Sequence, residues 1–233
     1  MSHAKSVTQD EWIAARKDLL AEEKNFTKLR DSLAAKRRDL PWMLVDNDYQ
    51  FHGSDGPESL ADLFADRRQL LIYHFMFGPD WEEGCPSCSF LADHFDGANY
   101  HLPQRDISLV VLSRAPLERL QAYKKRMGWR FKWLSSLDSD FNFDYQVSFT
   151  AEQMAAENMT YNYRDTTFPS QEAPGISIFI RGDDGQVYHS YSCYARGLDL
   201  LIGAYNLMDL TPLGRGENDL PWSMAWVRRH DQY

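Results

Sequence analysis

From Leu70 to Phe77 the chain runs Leu-Leu-Ile-Tyr-His-Phe-Met-Phe, apolar throughout but for His74. A short continuous apolar run bounded by polar residues predicts a strand buried on both faces. A second such run, Ile107-Ser108-Leu109-Val110-Val111-Leu112, follows some thirty residues later. Between the two, Phe90, Leu91 and Phe95 sit at helical spacing. After the second, Pro116 occupies a first-turn position ahead of Leu117, Leu120 and Tyr123, and Gly128 ends that helix. Strand, helix, strand, helix implies a parallel βαβ unit. Toward the C-terminus, Gly175–Ile180 and Gln186–Tyr191 flank a Gly182-Asp183-Asp184-Gly185 turn, which predicts a hairpin. A closing helix uses Leu198, Leu201, Ile202, Tyr205 and Met208, until Pro212, Gly214 and Gly216 break the pattern.

The remaining stretches are less regular. Thr8-Gln9-Asp10-Glu11 reads as a capping box. It opens a charged segment with apolar positions at Trp12, Ile13, Leu19, Leu20, Phe26, Leu29 and Leu33. One long helix or two shorter ones fit, forming an arm that packs on the main domain or mediates self-association. From Trp42 to Phe51 the pattern alternates around Asn47-Asp48, predicting a hairpin, with a short helix at Leu60, Leu63 and Phe64. After Trp133 the periodicity fades to about Glu172. The expected organisation is an arm over residues 1–40 and a single domain over 41–233, with an insertion at about 135–172.

Composition narrows the function classes. With 233 residues, 43% of them hydrophobic, the chain holds enough apolar surface for one large core. A formal charge of -9 disfavours a general nucleic-acid surface, and Arg37-Arg38 and Lys124-Lys125-Arg126 fall on strongly charged helical stretches. No stretch reaches the roughly 18 apolar residues of a membrane span. Met1–Asp10 lacks an apolar leader core, so a cytoplasmic protein is expected, without nucleic-acid or membrane partners.

The chemistry concentrates at Cys85-Pro86-Ser87-Cys88, between the first strand and the helix that follows it. Two cysteines so spaced at a helix start can close a small disulfide, and the unpaired N–H groups and helix dipole favour a thiolate on the first. The same motif is half of a zinc site. The only other cysteine is Cys193, however, and His74, His94 and His189 are scattered, so neither a metal nor a cofactor is expected. Three cysteines in this length make a Cys85–Cys88 disulfide functional rather than structural. Cys193 reads as a small buried hydrophobe and His74 as a hydrogen-bonded core histidine.

In this order of elements, with a CxxC at the first crossover helix, the chain resembles the thioredoxin-like superfamily over about residues 42–210. The leading hairpin, Phe77-Gly78-Pro79, and Ser113-Arg114-Ala115-Pro116 before Leu117-Glu118-Arg119-Leu120 are similar to its peroxiredoxin-like branch. Tyr73–Trp81, Gly84–Phe90 and Tyr194–Asp199 resemble a bacterial thioredoxin-like family catalogued as domain of unknown function 899. Arg38–Trp42 and Ser139–Asn142 extend that likeness over most of the chain. The resemblance implies an α/β fold, a central mixed sheet flanked by helices, and it places Pro174 where thioredoxins carry a cis-proline facing the dithiol.

The expected function is thiol-disulfide exchange with protein or small-molecule thiols and disulfides, Cys85 as nucleophile and Cys88 as resolving thiol. Asp80, Glu82 and Glu83 upstream oppose a thiolate, which predicts a moderate reductant. Pro174 is either a guide for an extended substrate or an ordinary turn proline, and Trp81 either an aromatic platform or core packing. Arg196 anchors a carboxylate or a helix end. Phe141, Phe143, Tyr145, Phe149, Tyr161 and Tyr163 either cover the dithiol or attach the insertion to the core. A thiol peroxidase is the first alternative. Peroxiredoxins carry Thr or Ser three residues before the peroxidatic cysteine, and here that position is Glu82. The second is a non-enzymatic interaction or metal-binding protein. A homodimer is compatible with all three.

Overall fold

The computed structural model describes residues 5–233, which divide into two compact units, one ending at Pro41 and the other spanning Trp42–Tyr233. In the first, α1 (Gln9–Arg38) is one continuous helix of 30 residues. The Thr8 hydroxyl accepts the Glu11 N–H at 3.3 Å while the Glu11 carboxylate accepts the Thr8 N–H at 2.8 Å. Both would otherwise be orphan donors of the first turn. Lys36, Arg37 and Arg38 stand in the last turn, where the helix dipole favours cations.

The second unit is built on an eight-stranded sheet. Its elements in chain order are β1 (Met43–Leu44), β2 (Gln50–Gly53), β3 (Gly56–Ser59), β4 (Gln69–His74), α2 (Pro86–Ala92), α3 (Phe95–Ala98), β5 (Ile107–Ser113), α4 (Leu117–Arg126) and β6 (Lys132–Ser135). Then come α5 (Phe141–Asp144), α6 (Ala151–Ala155), a small separate pair β7 (Met159–Tyr161) and β8 (Arg164–Thr166), β9 (Gly175–Arg181), β10 (Val187–Tyr194) and α7 (Gly203–Met208). The large sheet runs β1-β10-β9-β4-β5-β6-β2-β3. β4, β5 and β6 are parallel, as the two crossover helices require, and β9 returns antiparallel against β4. A βαβ unit joined edge to edge with a hairpin and followed by a helix is the thioredoxin-like architecture.

The central strands read as unbroken apolar runs because both faces of the sheet are covered. Leu70 and Ile72 of β4, with Val110 and Leu112 of β5, pack with Phe51, Phe64 and Phe141 on one face. Tyr73, Leu109 and Val111 point to the other, against Leu91, Phe95, Leu120, Trp129 and Trp133. Phe75 and Phe77 extend the apolar run but leave the strand, their rings packing on Tyr123 and Trp133.

Three expectations are corrected. The hairpin near the start of the unit is β2–β3, closed over Ser54-Asp55 between Gly53 and Gly56, because the glycine-bounded turn rather than Asn47-Asp48 reverses the chain. β1 instead pairs with β10. The helix expected at Leu60–Phe64 is one 3-10 turn, Asp62–Phe64. The closing helix is split, a 3-10 stretch Ala195–Leu201 giving way to α7 at Ile202, whose backbone is extended. The insertion is tied down by its aromatics: Phe141 and Tyr145 join the core beside β4, and Phe149 and Tyr161 form a third cluster with Val147, Met159, Ala173 and Tyr194. Phe143 lies under the Arg114 guanidinium, 4.4 Å from ring to cation, and only Tyr163 is largely exposed. Among the described residues no helix is long and apolar enough to cross a membrane.

Candidate active site

The loop that leaves β4 presents the dithiol. The Cys85 N–H donates to the Met76 carbonyl at 3.1 Å, closing the loop on its own start. Arg119 of α4 donates to the Pro79 and Trp81 carbonyls at 2.8 and 2.6 Å. Gly84 is required by crowding: a Cβ there would lie 2.6 Å from the Phe75 ring. Cys85 is then the N-cap of α2 and Pro86 its first residue, so ring-fixed φ starts the helix where a missing N–H costs nothing.

Cys85 and Cys88 are unbridged thiols in different surroundings. Cys85 is half-buried, and Cys88, one turn on, is 2% exposed. A hydrogen bond from the Cys88 side chain lowers the Cys85 pKa most, burial opposes it, and the Cys88 and Ser87 N–H groups and the Arg229 charge add to the lowering; the net value is about 7. Burial, and then the neighbouring Cys85, push the Cys88 thiol well up. The two thiols are therefore separated into one ionisable at neutral pH and one that stays protonated.

Arg229 arrives from the segment 209–233, and neither it nor its effect is apparent from local sequence. Its guanidinium donates to the Gly84 carbonyl at 2.8 Å and the Tyr123 hydroxyl at 2.9 Å, and pairs with Glu83 at 2.9 Å. Tyr123 in turn meets Ser89 (2.9 Å), whose hydroxyl donates to the Cys85 carbonyl. Arg126 also pairs with Glu83 and with Asp231, and His230 meets Asp93 at 2.7 Å. Of the three acids expected to oppose the thiolate, Glu83 is thus held by two arginines, and Asp80 and Glu82 are exposed.

Beside the dithiol lies a cavity of about 710 Å3. Cys85, Ser87, Cys88 and Pro174 line it, as does Tyr73 from the end of β4. The Tyr73 hydroxyl is fully buried with no oxygen or nitrogen partner among the described residues, and it interacts with the Cys88 side chain. Pro174 lies at the position where thioredoxins carry a cis-proline, but no cis peptide occurs among the described residues, so the bond before it has the trans isomer that X–Pro favours. The Pro174 carbonyl accepts the Tyr161 hydroxyl at 2.7 Å, fixing the loop without that isomer.

The other sequence candidates lie elsewhere. Trp81 does not line the cavity; its indole covers Gly78, where a Cβ would meet Nε1 at 2.9 Å. Cys193, on β10, faces the Gly197 carbonyl at 3.8 Å. Arg196 reaches the Asp199 carboxylate at 3.3 Å, the first of its two expected roles. His74 is 1% exposed, its Nε2 2.8 Å from the Ser177 hydroxyl, and burial lowers its pKa to about 3, which keeps it neutral as a core residue. No group of three or more His, Cys, Asp or Glu among the described residues is placed to hold a metal ion.

Residues 1–233 match the family model described as bacterial protein of unknown function, DUF899. Among solved structures, the chain is similar to peroxiredoxin Q of Xanthomonas campestris, with 14% identity and a TM-score of 0.49 over 71% of this chain and 96% of that one. It is also similar to peroxidoxin BcpB of Mycobacterium tuberculosis, with 12% identity and a TM-score of 0.44 over 71% and 98%. A comparison with curated proteins finds no match.

Proposed function

The chain belongs to the bacterial DUF899 family, whose function is unknown, and we propose that it is a thiol-disulfide oxidoreductase acting through Cys85 and Cys88. The observation that carries this reading is the placement of two unbridged thiols one helical turn apart, Cys85 half-buried at the N-cap of α2 and lining the cavity, Cys88 2% exposed; their surroundings lower the first and raise the second. In the reaction, the Cys85 thiolate attacks one sulfur of a disulfide, a Cys85–substrate bond forms, and the substrate S–S bond breaks to release a thiolate that takes up a proton. Cys88 then loses its proton and attacks the Cys85 sulfur. The second substrate thiol departs and the Cys85–Cys88 disulfide remains, two electrons having passed to the substrate. A dithiol reductant restores the pair by the reverse exchange. We place this cycle in the cytoplasm, where such a pair is kept reduced and its disulfide is transient.

An ionised Cys85 on a cavity would also suit a peroxide, which oxidises the thiolate to the sulfenic acid and leaves as water or an alcohol, after which Cys88 condenses with the sulfenic acid and releases water. Glu82 weighs against that second reading, since an exposed carboxylate stands where a peroxide-holding hydroxyl would be needed.

The test is an equilibrium titration against a dithiol buffer, with free thiols alkylated and mapped by mass spectrometry. The expected result is a reversible Cys85–Cys88 disulfide with a potential of about -270 to -200 mV. Failure of the pair to close reversibly would remove the reading. Peroxide consumption requiring both cysteines, without disulfide reduction, would replace it with the peroxidase.

A further inference from the structure

The segment 209–233 walls the dithiol in. Leu213–Asn218, Ser223 and Met224 line the cavity together with Cys85 and Pro174. This wall is fastened at several points. One oxygen of Glu217 accepts the Tyr205 hydroxyl at 2.6 Å, the Met224 N–H at 2.9 Å and the Trp226 indole N–H at 2.7 Å. Arg215 bridges Asp199 (2.9 Å) and Asp209 (2.7 Å) and lies 3.8 Å over the Tyr205 ring. Trp226 packs edge-on against Phe90 of α2, and Arg229 closes the far end on Gly84.

A sulfur at the edge of a fixed cavity imposes a size limit. The volume of about 710 Å3 is in the range of small-molecule sites. To meet Cys85 from the cavity, a folded protein would have to fit a disulfide-bearing loop among the residues that line it. The apolar part of the cavity lining comes from Tyr73, Met76, Leu91, Leu198, Ile202 and Met224. Within it the Tyr73 hydroxyl is a buried donor without an oxygen or nitrogen partner. The lining also carries three carboxylates, Asp199, Asp209 and Glu217, against two guanidiniums, Arg196 and Arg215, leaving one net negative charge. Hydrogen bonds from Arg215 hold Asp209 below the usual carboxylate range; at Glu217 burial acts in the opposite sense and is outweighed by its three donors, so both carboxylates are ionised at neutral pH.

We propose that the cavity selects the disulfide substrate as a low-molecular-weight, apolar-bodied disulfide without net negative charge, and excludes disulfides of folded proteins. The proposal rests on the exchange reaction of the preceding section. Such a disulfide enters against the apolar lining, one of its sulfurs meets Cys85, and the released thiol leaves by the same opening. The two electrons come from the Cys85–Cys88 pair, and an external dithiol regenerates it.

The experiment follows oxidation of the reduced full chain by bis(2-hydroxyethyl) disulfide, cystamine, 3,3'-dithiodipropionate and insulin. Products are trapped in acid and mapped, and each rate is divided by that of 1-thioglycerol, a neutral thiol, with the same disulfide. The neutral and cationic small disulfides should exceed insulin by at least about tenfold after this correction. The dianionic one should trail them by about threefold per charge, the scale of one unit-charge interaction across several ångströms of water-like dielectric. Asp209→Asn, a change at an exposed position of the lining, should remove that penalty. Equal corrected rates for insulin and the small disulfides would overturn the proposal while leaving the exchange reading intact, and an anion reacting as fast as the neutral compound would overturn its charge selection. A pair that no disulfide closes, while the denatured chain is oxidised normally, would instead refute the exchange reading itself.

Discussion

Replacing Cys88 with alanine isolates the largest contribution to the Cys85 thiolate. An ordinary cysteine titrating near ~8.5 is about 3% ionised at pH 7. With its pKa at about 7, Cys85 is about half ionised there, a gain of about 15-fold in thiolate. The weaker basicity lowers its intrinsic nucleophilicity by about fivefold at a Brønsted slope of ~0.45, so the net advantage at neutral pH is about threefold. Cys88→Ala removes the hydrogen bond that contributes most. The alkylation midpoint should therefore move up toward the ordinary value, with the rate at pH 7 falling by up to about threefold and the alkaline plateau rising by up to about fivefold. Cys88→Ser keeps a donor at the same place and should hold the midpoint near that of the native chain. The assay is iodoacetamide alkylation of Cys85 across pH, read by peptide mass, with thiolate ultraviolet absorbance as a second probe. Identical midpoints in the Ala and Ser variants would refute the reasoning and assign the lowering to the helix N–H groups and Arg229.

Arg229→Gln should raise the same midpoint by less than Cys88→Ala does, and should lower thermal stability by losing charge-assisted hydrogen bonds to Gly84 and Tyr123, each worth about 1.5–3 kcal/mol. Gly84→Ala drives a Cβ into the Phe75 ring and should cost about 1–3 kcal/mol in chemical denaturation. Tyr73→Phe removes a hydroxyl without an oxygen or nitrogen partner, so the melting temperature should move by no more than about 2–4 °C, whereas resolution of a trapped Cys85 mixed disulfide should slow. Burial raises the folded-state pKa of Glu172 against the lowering effects of Ser148 and Arg114, so its linkage to folding has the opposite sign to a surface carboxylate. The stability of the native chain relative to Glu172→Gln should be greatest below the unfolded carboxylate value of about 4.3 and decline as pH rises through the folded value; a difference that grows with pH would contradict this.

Local patterns were enough for those parts of the molecule whose partners lie nearby in the chain. β4 and β5 announce themselves as double-sided apolar runs, and β9–β10 through Gly182-Asp183-Asp184-Gly185, with Gly185 at a φ of 80°. The dithiol is legible because strand, loop and helix start are consecutive. The misplaced hairpin shows the limit: alternation around Asn47-Asp48 carries no information about which strand β1 joins, and its partner, β10, lies more than 140 residues on. The cavity was illegible for the same reason, since its two walls come from residues 73–91 and 195–224. Arg228-Arg229-His230-Asp231 after a Trp-rich stretch was the available signal for the far wall. Nothing in that cluster indicates that Arg229 faces Gly84 while Asp231 faces Arg126.

The bond from Arg229 to Gly84 spans 145 positions of the chain. During synthesis at about 5–20 residues per second, the CxxC loop emerges from the ribosome roughly 7 to 30 s before the arginine that completes its surroundings. Throughout that interval the nascent thiols lack both the guanidinium and the wall, and they behave as two unguarded cysteines. Closure of so distant a contact also belongs to the slow, non-local part of folding. Redox competence is thus a late event in the life of each molecule, and a chain stalled or cleaved before residue 229 would carry the motif without the microenvironment that tunes it.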